Sequence, residues 1–147
     1  MKQIALAVGL LAAAIQPLAA QQGPRIAHQP SETRPYSAAV QVGNIYWLSG
    51  KLGATAETRA MTEGQTGAET HNIMRAFGAL LEELGMDYGN LVRATVYLTD
   101  LDSYGEMNEA YRQYFEGIDP PSRVAVAVAG LVSGATIEIS FIAVKSD

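Results

Sequence analysis

The chain has no cysteine among its 147 residues, which excludes disulfides, thiolate metal sites and a cysteine nucleophile. Histidine is almost as scarce. His28 and His71 lie far apart in sequence and do not form the close set that a histidine-rich metal site needs. Charged residues make up only 17%, with a net charge of −5 at pH 7. An acidic surface does not capture nucleic acid, whose phosphates need basic partners. No Gly-x-Ser-x-Gly elbow and no Gly-x-x-x-x-Gly-Lys loop occurs, so serine-hydrolase and triphosphatase readings lack support. What is plentiful is apolar residues, 48% of the chain. That suffices for the core of one domain and is too much for a disordered chain.

Residues 1–20 follow the grammar of a secretory leader. Lys2 supplies a short basic start, Ile4 to Ala14 an apolar run, and Pro17 a break. Ala19-Ala20 offers small residues for cleavage before Gln21, although Leu18 is bulky for its place ahead of the cut. The run is short for a membrane span, and no cysteine follows to carry a lipid. An uncleaved anchor or a disordered tail is the alternative reading of such a segment. The expectation is a leader over 1–20, a periplasmic or secreted destination, and no stable membrane anchoring after cleavage. Residues 21–33 are polar and proline-punctuated and read as a tether, which leaves 34–147 as the domain.

Within that domain a strand is expected from Ser37 to Gln41, a turn at Gly43-Asn44, and a return strand through Ile45 to Ser49. Residues 50–64 lack periodicity and read as a loop. Ile73, Phe77, Leu80, Leu81 and Leu84 then recur at helical spacing, with Thr66 or Thr70 as a cap and Gly85 as the stop. Leu91 to Thr99 reads as a strand and Ser103 to Phe115 as a more polar helix, closed by Gly117 and Pro120-Pro121. Two strands follow, Ser122 to Ala129 and Thr136 to Lys145, joined at Ser133-Gly134. The order predicts an α+β fold, a mixed sheet with two helices on one face.

The last two strands carry the candidate chemistry. Alternation puts Val124, Val126 and Val128 on one face and Arg123, Ala125 and Ala127 on the other. An arginine beside two alanines has space before its guanidinium, a fork shaped for a planar carboxylate. An arginine lying along a strand end or pairing with a surface carboxylate would show the same pattern. Glu138 lies in the apolar run Ile137-Glu138-Ile139-Ser140-Phe141-Ile142, where a partly desolvated carboxyl can orient water or move a proton. A solvent-facing glutamate on an alternating strand fits as well. Tyr36 after Arg34-Pro35, the Ser49-Gly50 strand end and Asn108 on the polar helix are further candidates. Packing, turn formation and simple exposure are their ordinary explanations.

Taken in order, these pieces resemble the reactive intermediate deaminase (Rid, YjgF-type) family. Arg34-Pro35-Tyr36-Ser37-Ala38-Ala39-Val40 and Ser49-Gly50 are similar to its "GPYSQA…SGQ" opening. Leu91 to Asp100 looks like its central strand, and Asn108 to Phe115 like its "N-x-x-Y-x-x-F-F" helix. Pro121-Ser122-Arg123-Val124-Ala125-Val126 resembles "P-A-R-x-x-V", and Ile137-Glu138-Ile139 the closing "I-E-I-E-A-I-A". The resemblance implies a chorismate-mutase-like fold assembled as a homotrimer with sites between subunits. It also implies cofactor-free, metal-free hydrolysis of small imino and enamino acids, of the 2-aminoacrylate and 2-iminopropionate type, to 2-keto acids and ammonia. On that analogy Arg123 grips the substrate carboxylate and Glu138 positions water. Ser49, Gly50 and the Ala125 backbone line the site, with Tyr36 and Asn108 at its rim.

Departures from the family pattern mark a divergent member. Arg34 replaces glycine, Lys51 glutamine, Ala125 a frequent cysteine, and Ser140 the second glutamate. Glu69 and Ala76 stand where glutamine and asparagine are common. They bear on the substrate side chain more than on the carboxylate grip. A non-catalytic module binding 2-keto or amino acids is the alternative function. A chaperone-like or RNA-cleaving role, attributed to some relatives, is disfavoured by the acidic charge.

Overall fold

The computed structural model describes residues 23–54 and 65–146, so the expected leader over 1–20 lies outside the described residues. The strands are β1 (Ile26–Pro30), β2 (Ser37–Val42), β3 (Ile45–Leu52), β4 (Leu91–Leu98), β5 (Ser122–Ala127) and β6 (Ile137–Val144). The helices are α1 (Thr66–Glu83) and α2 (Tyr104–Arg112), the latter flanked by single 3-10 turns. One mixed sheet has the order β1-β2-β3-β6-β4-β5. Only β4 and β5 run parallel, joined across α2, and every other pairing is antiparallel.

Helix α1 packs on β3 and β6 and against α2, so both helices cover one sheet face. Phe77, Ile73 and Leu81 from α1 meet Ala94, Val96, Ile139 and Phe141 from the sheet, all of them buried. The Phe77 and Phe141 rings meet edge to face with centroids 4.8 Å apart. Burying each such side chain contributes roughly 1.5–3 kcal/mol. The α+β class and the helices on one face are as expected.

Three local expectations need correction. Residues 26–30, assigned to a tether, form edge strand β1, in register with β2 from Ile26↔Gln41 to Pro30↔Ser37. An edge strand needs pairing on one side only and tolerates a terminal proline, so its polar composition concealed it. Strand β3 continues beyond Ser49 to Leu52 through a register jump between Leu48 and Lys51. There Ser49 and Gly50 oppose Ser140 alone, which is a β-bulge; the part of the expected loop over 55–64 lies outside the described residues. Neither threonine caps α1: Thr70 Oγ1 donates to the Thr66 carbonyl and Thr66 Oγ1 bonds Thr136 Oγ1. The expected stop is present. Gly85, at φ +70°, donates to Glu82 O while Met86 donates to Leu81 O, the paired bonds of a Schellman motif.

Candidate active site

Arg123 lies on the helix-covered face of β5, in register with buried Ala94, as its alternation requires. Because β5 is the last strand, the arginine reaches the sheet edge under α2. Its Nη2 donates to Asn108 Oδ1 at 2.6 Å and to the Tyr104 hydroxyl at 3.2 Å. Its Nη1 meets Met107 Sδ at 3.6 Å, a weak acceptor. The guanidinium carbon stands 4.9 Å from the Tyr111 ring centroid and 5.7 Å from that of Tyr104. Tyr104, Asn108 and Tyr111 recur at helical spacing, so one stripe of α2 holds the whole fork. Beside it opens a cavity of about 500 Å³, lined by Asn108, Tyr111, Phe115, Pro121 and Arg123 among others. Ala125 follows on the same face and is half-buried.

The aromatic environment has electrostatic consequences. Tyr111 is buried and its hydroxyl has no hydrogen-bond partner among the described residues. Burial pushes its phenol pKa up, against the lowering effect of Arg123. A neutral ring face is therefore kept under the guanidinium, which cation–π attraction favours. Tyr104 is different: hydrogen bonding to the Asn108 side chain, then to Arg123, lowers its phenol pKa.

Glu138 is on the other side of the sheet. Its neighbours Ile137 and Ile139 are fully buried in the helix-facing core, so Glu138 turns outward, in register with Tyr97 and Leu52. Among the described residues its carboxylate makes no hydrogen bond or ion pair. It lies directly against Gly50, where an added Cβ would come within 1.9 Å of Glu138 Oε1. Gly50 is thus the bulge residue whose missing side chain admits the carboxylate. Ser49 Oγ donates to the Ser37 carbonyl at 2.7 Å and ties β3 to β2. Tyr36 is exposed, and its hydroxyl accepts from Arg34 Nη1 at 3.1 Å.

The candidates therefore form two groups. Arg123, Asn108 and Ala125 come together under α2; Glu138 and Gly50 come together on the opposite face, with Ser49 in the same bulge. Within one chain Arg123 and Glu138 are not neighbours. Sequence reasoning did not single out Tyr104, Met107 and Tyr111 as neighbours of Arg123. Their helical spacing with Asn108 was the available signal.

The Endoribonuclease L-PSP family model matches residues 26–145, from the first strand through the last. The chain belongs to this family, the Rid/YjgF proteins. A 2-iminobutanoate/2-iminopropanoate deaminase of Mus musculus is 36% identical over 116 residues, covering 79% of this chain and 85% of that one. Protein DfrA of Myxococcus xanthus is 39% identical over 118 residues, 79% of this chain and 89% of that protein. Among solved structures, RidA from the Antarctic bacterium Psychrobacter sp. PAMC 21119 superposes with a TM-score of 0.72 at 34% identity, covering 79% of this chain and 93% of that one. E. coli TdcF with bound serine gives a TM-score of 0.73 at 27% identity, covering 81% and 94%. The Rid chain thus has the chorismate-mutase-like fold of its relatives and belongs to a family that includes imine deaminases.

Proposed function

We propose that this Rid protein hydrolyses small 2-imino acids and their enamine tautomers to 2-keto acids and ammonia. One observation carries the reading: a guanidinium clamped by α2 at a sheet edge, with Nε–H and one Nη1–H lacking an acceptor among the described residues, next to a small alanine. That is a preorganised receptor for a carboxylate. Relatives named 2-iminobutanoate/2-iminopropanoate deaminase support the reaction class, and a fold neighbour described with bound serine supports recognition of a 2-amino-type acid.

The chemistry needs orientation and proton management. With the carboxylate on Arg123, the water oxygen adds to the imine carbon as the C=N π bond opens and nitrogen takes a proton. The resulting carbinolamine breaks its C–N bond, ammonia leaves, and loss of the hydroxyl proton gives the ketone. Glu138, as a carboxylate, accepts a proton from the attacking water and returns one to the departing nitrogen. An imine carbon is already electrophilic, so no cofactor enters the scheme.

Arg123 and Glu138 face opposite sides of one sheet, so the reaction requires a second copy of the chain. The proposed assembly is a homotrimer with each site between subunits. Its support is the sheet face left uncovered by the helices, where Trp47, Val124 and Val126 are each more than 40% exposed. Apolar side chains exposed on one face in this way favour burial against another surface. Export is proposed from Lys2, the Ile4–Ala14 run and Ala19-Ala20 alone, which would place the imine source among extracytoplasmic amino-acid-oxidising reactions.

The test uses residues 21–147, with an L-amino-acid oxidase generating imines in the presence of semicarbazide. Wild type should suppress the semicarbazone signal, and Arg123→Ala and Glu138→Ala should each restore it. Unchanged trapping with small, aliphatic and aromatic imines, together with saturable 2-keto acid binding, would replace the deaminase reading by that of a binding module.

A further inference from the structure

Tyr104 opens α2 and stands one helical turn before Asn108, on the stripe that holds Arg123. Its hydroxyl oxygen accepts from Arg123 Nη2 at 3.2 Å, and its ring lies 5.7 Å from the guanidinium carbon. Both Nη2 protons are thereby committed, one to Asn108 and one to Tyr104. The tyrosine oxygen is approached by the Asn108 side chain and by Arg123, hydrogen bonds that favour the oxygen's charge, and among the described residues no hydrogen bond is found in which the phenol itself donates. The ring is 42% exposed, unlike Tyr111 behind the same guanidinium. A hydroxyl with an uncommitted proton therefore stands in the open, beside the arginine that would hold the substrate.

We infer that Tyr104 is a second ligand for the substrate carboxylate, donating its phenol proton to one carboxylate oxygen while Arg123 binds the anion through its remaining N–H groups. This rests on the carboxylate-binding reading of Arg123 proposed above and adds a specific requirement to it. The tyrosine recognises an anionic acceptor at the 2-carboxyl position and takes no part in breaking the C–N bond. Its contribution belongs to binding, so it is equal in ground state and transition state.

The experiment compares wild type with Tyr104→Phe, which keeps the ring over Arg123 and removes only the hydroxyl. Calorimetry with 2-oxobutanoate, a product-like carboxylate, should show binding weakened about 10- to 150-fold, the scale of one hydrogen bond to a charged group. Binding of the neutral 2-oxobutanamide should be weak and equal in both proteins. In the oxidase-coupled assay KM should rise by a similar factor with kcat unchanged. A tyrosine that merely braced Arg123 would lower kcat as well, because a displaced guanidinium misplaces the imine carbon against its water. Equal 2-oxobutanoate affinity in the two proteins, or a fall in kcat alone, would overturn the inference while leaving the deaminase reading intact. Absence of 2-oxobutanoate binding in wild type would overturn the inference together with the carboxylate-binding reading of Arg123, and the trapping assay decides the deaminase reading separately.

Discussion

The Oδ1 atom of Asn108 lies 2.6 Å from Nη2 of Arg123, and this contact fixes the direction of the guanidinium at the sheet edge. An arginine free to swing on its long side chain would lose rotamer entropy on meeting a substrate. Here that entropy is already spent in the fold. Asn108→Ala removes the acceptor but leaves the Tyr104 contact and the Tyr111 ring. Steady-state kinetics should show kcat/KM falling about 10-fold, since a hydrogen bond involving an ionised group contributes roughly 1.5–3 kcal/mol and water replaces part of it. Asn108→Asp should not substitute well. Its charge would bind Arg123 more strongly and repel an incoming carboxylate, so KM should rise further than in the alanine variant.

Gly50 and Glu138 offer a different kind of test. An added Cβ at Gly50 would lie 1.9 Å from Glu138 Oε1 and 2.9 Å from Cδ. The obstructing atoms are at the end of a flexible side chain, so the carboxylate can rotate away without moving backbone. Gly50→Ala should therefore leave urea stability within about 1 kcal/mol of wild type and still displace the proposed water-holding group. Turnover should fall at least about 100-fold, the usual contribution of positioned acid–base catalysis. A fully active, folded Gly50→Ala protein would remove Glu138 from the mechanism.

These two pairs show what could be read from the sequence and what could not. The Arg123-Val124-Ala125 alternation located the guanidinium on a face with small neighbours, because strand period alone decides that. Apolar spacing located α1, and Gly-Asn located the hairpin. The relation between Arg123 and Glu138 was not legible, because it depends on the strand order β3-β6-β4-β5, which alternation within each strand does not contain. Strand β1 was missed because Ile26-Ala27-His28-Gln29-Pro30 has neither strict alternation nor a strong β-prone run; its pairing with β2 holds it. Tyr104 and Tyr111 were visible only as helix aromatics until packing placed Arg123 between them.

Glu69 is a carboxylic acid with no exposed surface, held by backbone N–H groups of Thr136 and Ile137 at 3.0–3.3 Å. Burial raises its pKa above the ordinary carboxyl value and outweighs those N–H donors, which lower it. The folded state therefore holds this proton more tightly than the unfolded state does. The stability it contributes is fully present below the unfolded pKa and is lost as pH rises through the raised folded value. Glu69→Gln has no such titration and keeps an acceptor for one N–H. The variant should be the more stable protein at pH 7, by about 1 kcal/mol, with the difference shrinking toward pH 4. Urea melts of both proteins at pH 4, 5.5 and 7 isolate the effect, because the other carboxylates are common to both. A constant difference across that range would assign no titration to Glu69.

The uncovered sheet face offers a test of the proposed homotrimer. Trp47 is in register with Val40 on β2 and Ile142 on β6, so it stands in an apolar row pointing away from both helices, and it is 43% exposed. In a solitary chain, Trp47→Asp replaces an exposed aromatic with an exposed charge and leaves the core untouched. In a homotrimer closed over this face it buries an unpaired carboxylate, which costs several kcal/mol per site. The wild type should elute from size-exclusion columns as three copies and Trp47→Asp as one, with the same far-UV circular dichroism. The monomer should still carry the Arg123 fork intact under α2 yet hydrolyse no imine, because Glu138 of a second copy never reaches it. An active monomer would overturn both the shared site and the placement of the two residues on separate subunits.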